Sequence, residues 1–135
     1  MKTRFFIVTL LLLLLLTACG QGPAPAGGTT EVLPGSPAAP TLISPNGTTN
    51  IANPPYGWNA SAGATSYRIG VYSESSDSYV ILTEVLASAV CSGGLCAYQT
   101  TTVLAPGEYR FKVLAKNAFG VSVYSDWMTF TIPGE

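Results

Sequence analysis

Few side chains in this 135-residue chain have types and spacings fit for chemistry: three cysteines, at 19, 91 and 96, seven carboxylates and no histidine. The missing histidine excludes nucleophile–histidine triads and histidine metal sites. Glu74, Asp77, Glu84, Glu108 and Asp126 are the carboxylates a paired acid–base site would draw on. Glu74 and Asp77, however, sit in Ser73-Glu-Ser-Ser-Asp-Ser78, which reads as a solvated hairpin loop. Acid–base work needs desolvated, converging groups instead. The serines there are turn formers rather than nucleophiles. No catalytic residue, no metal and no cofactor is expected.

The elements that must position these residues begin with a leader. Lys2 and Arg4 give a positive start, and Phe5 to Leu16 form a 12-residue apolar run ending in small residues, the pattern of an export signal. Such a run rises only ~18 Å as a helix against a hydrocarbon core of ~30 Å, so it is too short to span. The run closes on Leu16-Thr17-Ala18-Cys19, which resembles the lipobox of bacterial lipoproteins. The resemblance implies removal of residues 1–18, a diacylglyceryl thioether on Cys19 and an acylated (palmitate-type) new N-terminus. Two or three chains anchor durably where one does not, at ~0.8 kcal/mol per buried CH2. Gly20 rather than Asp after the cysteine points to the outer membrane or cell surface of the bacterial envelope.

With Cys19 assigned to lipid, an even number of cysteines remains. Cys91-Ser-Gly-Gly-Leu-Cys96 then reads as a six-residue disulfide ring with a Gly-Gly turn; a free thiol pair is the alternative. A redox pair would carry a two-residue spacer, and a zinc site would need further ligands.

Lys2 and Arg4 leave with the leader, so Arg68, Arg110, Lys112 and Lys116 face seven acidic residues and the mature charge is about −3. Four scattered cations do not make the basic stripe that phosphate binding needs, so nucleic acid is not an expected partner. From Gly20 to Pro40 the chain holds five Gly, five Pro and four Ala in 21 residues. A segment that buries so little apolar surface reads as a disordered tether, so 19–40 is taken as lipidated cysteine plus tether and 41–133 as one domain.

Short β-branched and aromatic stretches, separated by Gly, Pro, Asn and Ser clusters, predict strands near 41–44, 55–60, 66–73, 78–85, 97–103, 108–117 and 122–132. Seven strands in one chain predict an all-β sandwich of two sheets. Tyr109, Phe111, Val113 and Ala115 alternate with Arg110, Lys112, Leu114 and Lys116, an apolar and a largely cationic face at period two. Tyr67, Ile69 and Val71 repeat the inward pattern, with Arg68, Gly70 and Tyr72 outward. Met128, Phe130 and Ile132 do the same, with Trp127, Thr129 and Thr131 outward. Trp58 is the expected central core aromatic. Asn46-Gly47 reads as a turn.

Pro40, Trp58, Tyr67-Arg-Ile-Gly-Val71 and Leu104-Ala-Pro-Gly-Glu-Tyr109 through Val113, Ala115, Asn117, Gly120 and Ser122 together resemble a fibronectin type III domain, over nearly all of 38–132. The resemblance implies that Tyr109 enters the core while its hydroxyl bonds to backbone upstream. It also implies that the Cys91–Cys96 ring is a local insertion between the fourth and fifth strands. Tyr124-Ser125-Asp126-Trp127 resembles a degenerate Trp-Ser-x-Trp-Ser box, whose aromatics interleave with cations on the neighbouring strand, here Arg110 and Lys112. Such a ladder either stiffens the sheet or offers Trp127 and Tyr124 as a ligand platform. The family's Arg-Gly-Asp tripeptide is missing from the 117–121 loop; Phe119 at its tip is the candidate contact there, folding back over the end of the sandwich being the alternative.

The expected function is a lipid-anchored, non-catalytic binding or adhesion module, partnered by the membrane and by a protein or polysaccharide ligand. Candidate contacts are Trp127, Tyr124, Phe119 and Tyr72. A carbohydrate-binding module, drawing also on Tyr79 and Tyr98, and a structural accessory of an envelope complex are the alternatives.

Overall fold

The computed structural model describes residues 32–134; the leader, Cys19 and the first part of the expected tether lie outside the described residues. In chain order the elements are β1 (Leu42–Ser44), β2 (Gly47–Thr48), β3 (Tyr56–Asn59), β4 (Ser66–Ser73), β5 (Ser78–Leu86), the helical turn α1 (Ala87–Val90), β6 (Cys91–Ser92), β7 (Leu95–Tyr98), β8 (Gly107–Asn117), β9 (Gly120–Val121) and β10 (Met128–Ile132). One sheet runs β1-β3-β7-β6, and the other runs β2-β10-β8-β4-β5 with β9 folded back on β8. All pairs are antiparallel except β2 with β10, because the chain changes sheets between β1 and β2.

Period-two alternation sets which faces meet. Tyr67, Ile69 and Val71 of β4, Tyr109, Phe111, Val113 and Ala115 of β8, and Phe130 and Ile132 of β10 are buried against Tyr56 and Trp58 of the facing sheet. Trp58 meets Tyr67 edge to face at 5.3 Å, and Tyr56 meets Phe111 at 5.1 Å. Burying side chains of this size contributes about 1.5–3 kcal/mol each, and a one-residue slip would turn them all to water. The Tyr109 hydroxyl donates to the Ala105 carbonyl at 2.8 Å, and the Leu104 N–H donates to the Ala52 carbonyl, closing the crossover between the sheets. Cys91 and Cys96 are disulfide-bonded across the β6–β7 hairpin.

Several expectations are corrected. The strand expected at 97–103 is shorter and earlier, because side chains bind the backbone beyond Tyr98: Gln99 Nε2 donates to the Asn53 carbonyl and Thr100 Oγ1 accepts from the Thr102 N–H. The expected strand at 122–132 starts only at Met128. Tyr98, considered among the outward aromatics, is half-buried and packed against the core. Leu114, assigned to the cationic face, is buried.

The body also begins earlier than Thr41. Asn117 Nδ2 donates to the Gly35 carbonyl at 2.9 Å, the Ser36 N–H donates to the Leu33 carbonyl, and Pro37 and Pro40 are buried. A Cβ on Gly120 would sit 2.5 Å from Ser36 Oγ, so only glycine lets this segment lie against the β8–β9 turn.

Candidate functional site

The outer face of the six-stranded sheet is built from β8 outward. Arg110 and Lys112 alternate with the buried Tyr109, Phe111 and Val113, so both cations project away from the core. Register places Tyr72 of β4 opposite Arg110 and Gly70 opposite Lys112, while Tyr79 of β5 lies opposite Tyr72. A Cβ on Gly70 would come within 2.9 Å of the Tyr79 ring, so the glycine lets that ring lie down over the sheet.

Tyr124 and Trp127 arrive from the irregular segment before β10, which hydroxyl groups hold against β8. Ser122 Oγ accepts from the Ala115 N–H at 2.9 Å while the Ser122 N–H donates to the Ala115 carbonyl. Ser125 repeats the pairing with Val113, at 3.1 Å for the hydroxyl. Two serines three apart thus do the work of strand carbonyls, and Tyr124 between them and Trp127 just after them turn over the cations.

The result is an interleaved ladder. The Arg110 guanidinium lies 4.8 Å from the centroid of Tyr72 and 4.7 Å from that of Trp127, and its Nε is 3.0 Å from Glu74 Oε1. Lys112 Nζ lies 4.2 Å from Tyr124, 4.5 Å from Trp127 and 5.8 Å from Tyr79. The two cations differ in one respect: Arg110 has a carboxylate, and among the described residues none pairs with Lys112. Tyr79 and Trp127 lie beside Lys112 with nearly parallel rings, 27° apart in plane and 6.4 Å between centroids, and are 44% and 38% exposed. The Tyr72 hydroxyl donates to Asp77, which raises its pKa above the ordinary phenol value. Beside Trp127, a shallow cleft lies between Pro40–Leu42 and Ser125–Met128.

Of the four sequence-derived contact candidates, Trp127, Tyr124 and Tyr72 meet here. Phe119 does not: it stands at the β8–β9 turn with its ring against Gly35. Sequence reasoning placed Glu74 in solvent and did not find its pairing with Arg110, nor the ring of Tyr79 above Gly70. The Ser122 and Ser125 spacing was the available signal for the hydroxyl pairing. Among the described residues no group of three or more Cys, Asp or Glu is placed to hold a metal.

This strand order, with the tyrosine-closed crossover and the aromatic–cation ladder, defines a fibronectin type III-like β-sandwich. No family model matches the chain and no curated protein matches it. Among solved structures it is similar to the twitchin kinase region of C. elegans, with 20% identity over 74% of this chain and a TM-score of 0.49. The chain spans 17% of that region's length. It is also similar to an Fn3-like protein from Clostridium thermocellum, with 18% identity over 77% of this chain and 98% of that one, TM-score 0.47. A third likeness is to the fibronectin type III domain of human fibronectin type III domain containing protein 3, with 22% identity over 81% and 94% of the two chains, TM-score 0.42.

Proposed function

We propose that the protein is a lipid-anchored binding or adhesion module of the bacterial envelope, without catalysis of its own, which meets its partner through the outer face of β5, β4 and β8. One observation carries this reading: Lys112 lies beside the exposed, stacked rings of Tyr79 and Trp127 with no carboxylate partner among the described residues. Arg110 is already paired with Glu74; Lys112 is left to answer an incoming anion, and the neighbouring rings offer apolar area.

A polysaccharide partner is favoured among ligands by the nearly parallel Tyr79 and Trp127 rings, since sugars stack on flat aromatic faces. The test is retention of the full chain on immobilised envelope polysaccharides and on matrix proteins. Trp127→Ala is expected to cost roughly tenfold or more in affinity, in line with an anchor worth about 1.4 kcal/mol. Unchanged retention of Trp127→Ala on every partner that binds would move the contact surface elsewhere.

A further inference from the structure

The loop tips at the end of the sandwich where the chain enters carry no charge; the nearest ionisable groups, Lys116, Glu84 and Arg68, pair with one another on the flanking strands β8, β5 and β4. Four segments converge there. Asn117 of the β8–β9 turn bonds to Gly35 of the entering segment and lies beside Gly63 of the β3–β4 loop. The Thr65 N–H donates to the Lys116 carbonyl, and the Thr65 carbonyl accepts from the Ala87 N–H at the start of α1. The Ala60 N–H donates to the Gly94 carbonyl in the β6–β7 turn. Residues 32–37, 60–65, 86–95 and 117–123 contain no Asp, Glu, Lys or Arg. They expose Leu33, Leu86, Leu95 and Phe119 instead.

Charge collects at the other end. The β4–β5 turn holds Glu74 and Asp77, and the Glu74 N–H donates to the Glu108 carbonyl, so three carboxylates gather there. Ile51 and Val103 are exposed too, but Val103 lies in the link into β8, which begins at Gly107 on that acidic end.

We infer that the uncharged loop end rests on the lipid bilayer, with Phe119, Leu33, Leu86 and Leu95 dipping into the interface. This inference rests on the reading of Cys19 as the lipid attachment point. The chain outside the described residues argues for the bilayer as the occupant. It leaves the body at this end, and residues 20–32 reach only ~20 Å as a coil and ~40 Å as polyproline II. An anchor at Cys19 therefore holds this end, and not the acidic one, against the headgroups. An uncharged loop cluster with protruding apolar side chains is what an interface accepts, and an anionic surface repels the carboxylates of the far end. Docked so, the sandwich presents the Tyr79, Lys112 and Trp127 face sideways, clear of the membrane.

Two full-chain variants test this, each reconstituted into phosphatidylethanolamine/phosphatidylglycerol vesicles with and without bromine on the acyl chains. Phe119→Trp places a reporter at a tip that is 67% exposed, and Val103→Trp places one at a far-end site that is 71% exposed, over the same background of Trp58 and Trp127. The added emission of Phe119→Trp is expected to be lost in brominated vesicles, and that of Val103→Trp to be kept. Equal quenching of both, or of neither, at saturating lipid overturns the docking. Detergent phase partition of the same preparations reads the anchor separately. Aqueous partition would remove the anchor reading, and selective quenching of Phe119→Trp in that case would keep the docked face without it.

Discussion

Ser122 and Ser125 are small residues with a large structural task, since their hydroxyls pair Ala115 and Val113 where β10 has not yet begun. Ser122 is buried, so Ser122→Ala leaves the Ala115 N–H without its acceptor and is expected to cost about 1–3 kcal/mol in urea unfolding; the half-buried Ser125 should cost less. Glu84 shows the opposite regime, an exposed carboxylate whose pKa is lowered first by the hydrogen bond from Lys116, then by Ser66 and Arg68. A folded pKa below the unfolded one means that its stabilisation is present above the ordinary glutamate range and is lost as pH falls through the lowered value. Unfolding midpoints from pH 7 to pH 3 should fall less steeply in Glu84→Gln than in the parent, and the difference should be small because solvent screens the pairs. The hairpin loop that carries Glu74 and Asp77 was legible in its residues, Ser73-Glu-Ser-Ser-Asp-Ser78, and forms the β4–β5 turn. The Arg110–Glu74 and Lys116–Glu84 pairings were not, because they join residues from strands far apart in sequence.

At the scale of elements, β4 and β8 followed from their alternation, since a buried face on each fixes register and leaves a period-two trace in the residues. The segment from Ser122 to Trp127 left no such trace because side-chain hydroxyls replace the ladder there, and its apolar residues face out over cations. The Gly- and Pro-rich stretch from Leu33 to Pro40 read as tether on composition, yet the Asn117 amide and the bare Cα of Gly120 hold it to the body. A contact supplied from 82 residues away is invisible to local pattern. The Cys91–Cys96 ring spans only the β6–β7 hairpin, so the chain-entropy account limits its worth to about 2 kcal/mol. Cys91→Ser/Cys96→Ser is expected to stay folded, with increased amide exchange confined to α1, β6 and β7. Global loss of protection would mean that the ring holds the sandwich together.

Across the described residues, charge and apolar surface are partitioned along the sandwich axis: uncharged loop tips where the chain enters, rimmed by the paired Lys116, Glu84 and Arg68, an aromatic and cationic flank, and an acidic far end. That partition makes sense for a body attached at its N-terminal side to a bilayer and offering a flank to a partner. The proposed attachment at Cys19 would give the arrangement its direction, so it is the point to measure. Tandem mass spectrometry of the N-terminal peptide of the native protein should find Cys19 as the first residue, carrying a diacylglyceryl thioether and an acylated amine. A native polypeptide that retains residues 1–18, or that starts at an unmodified Cys19, would contradict the account.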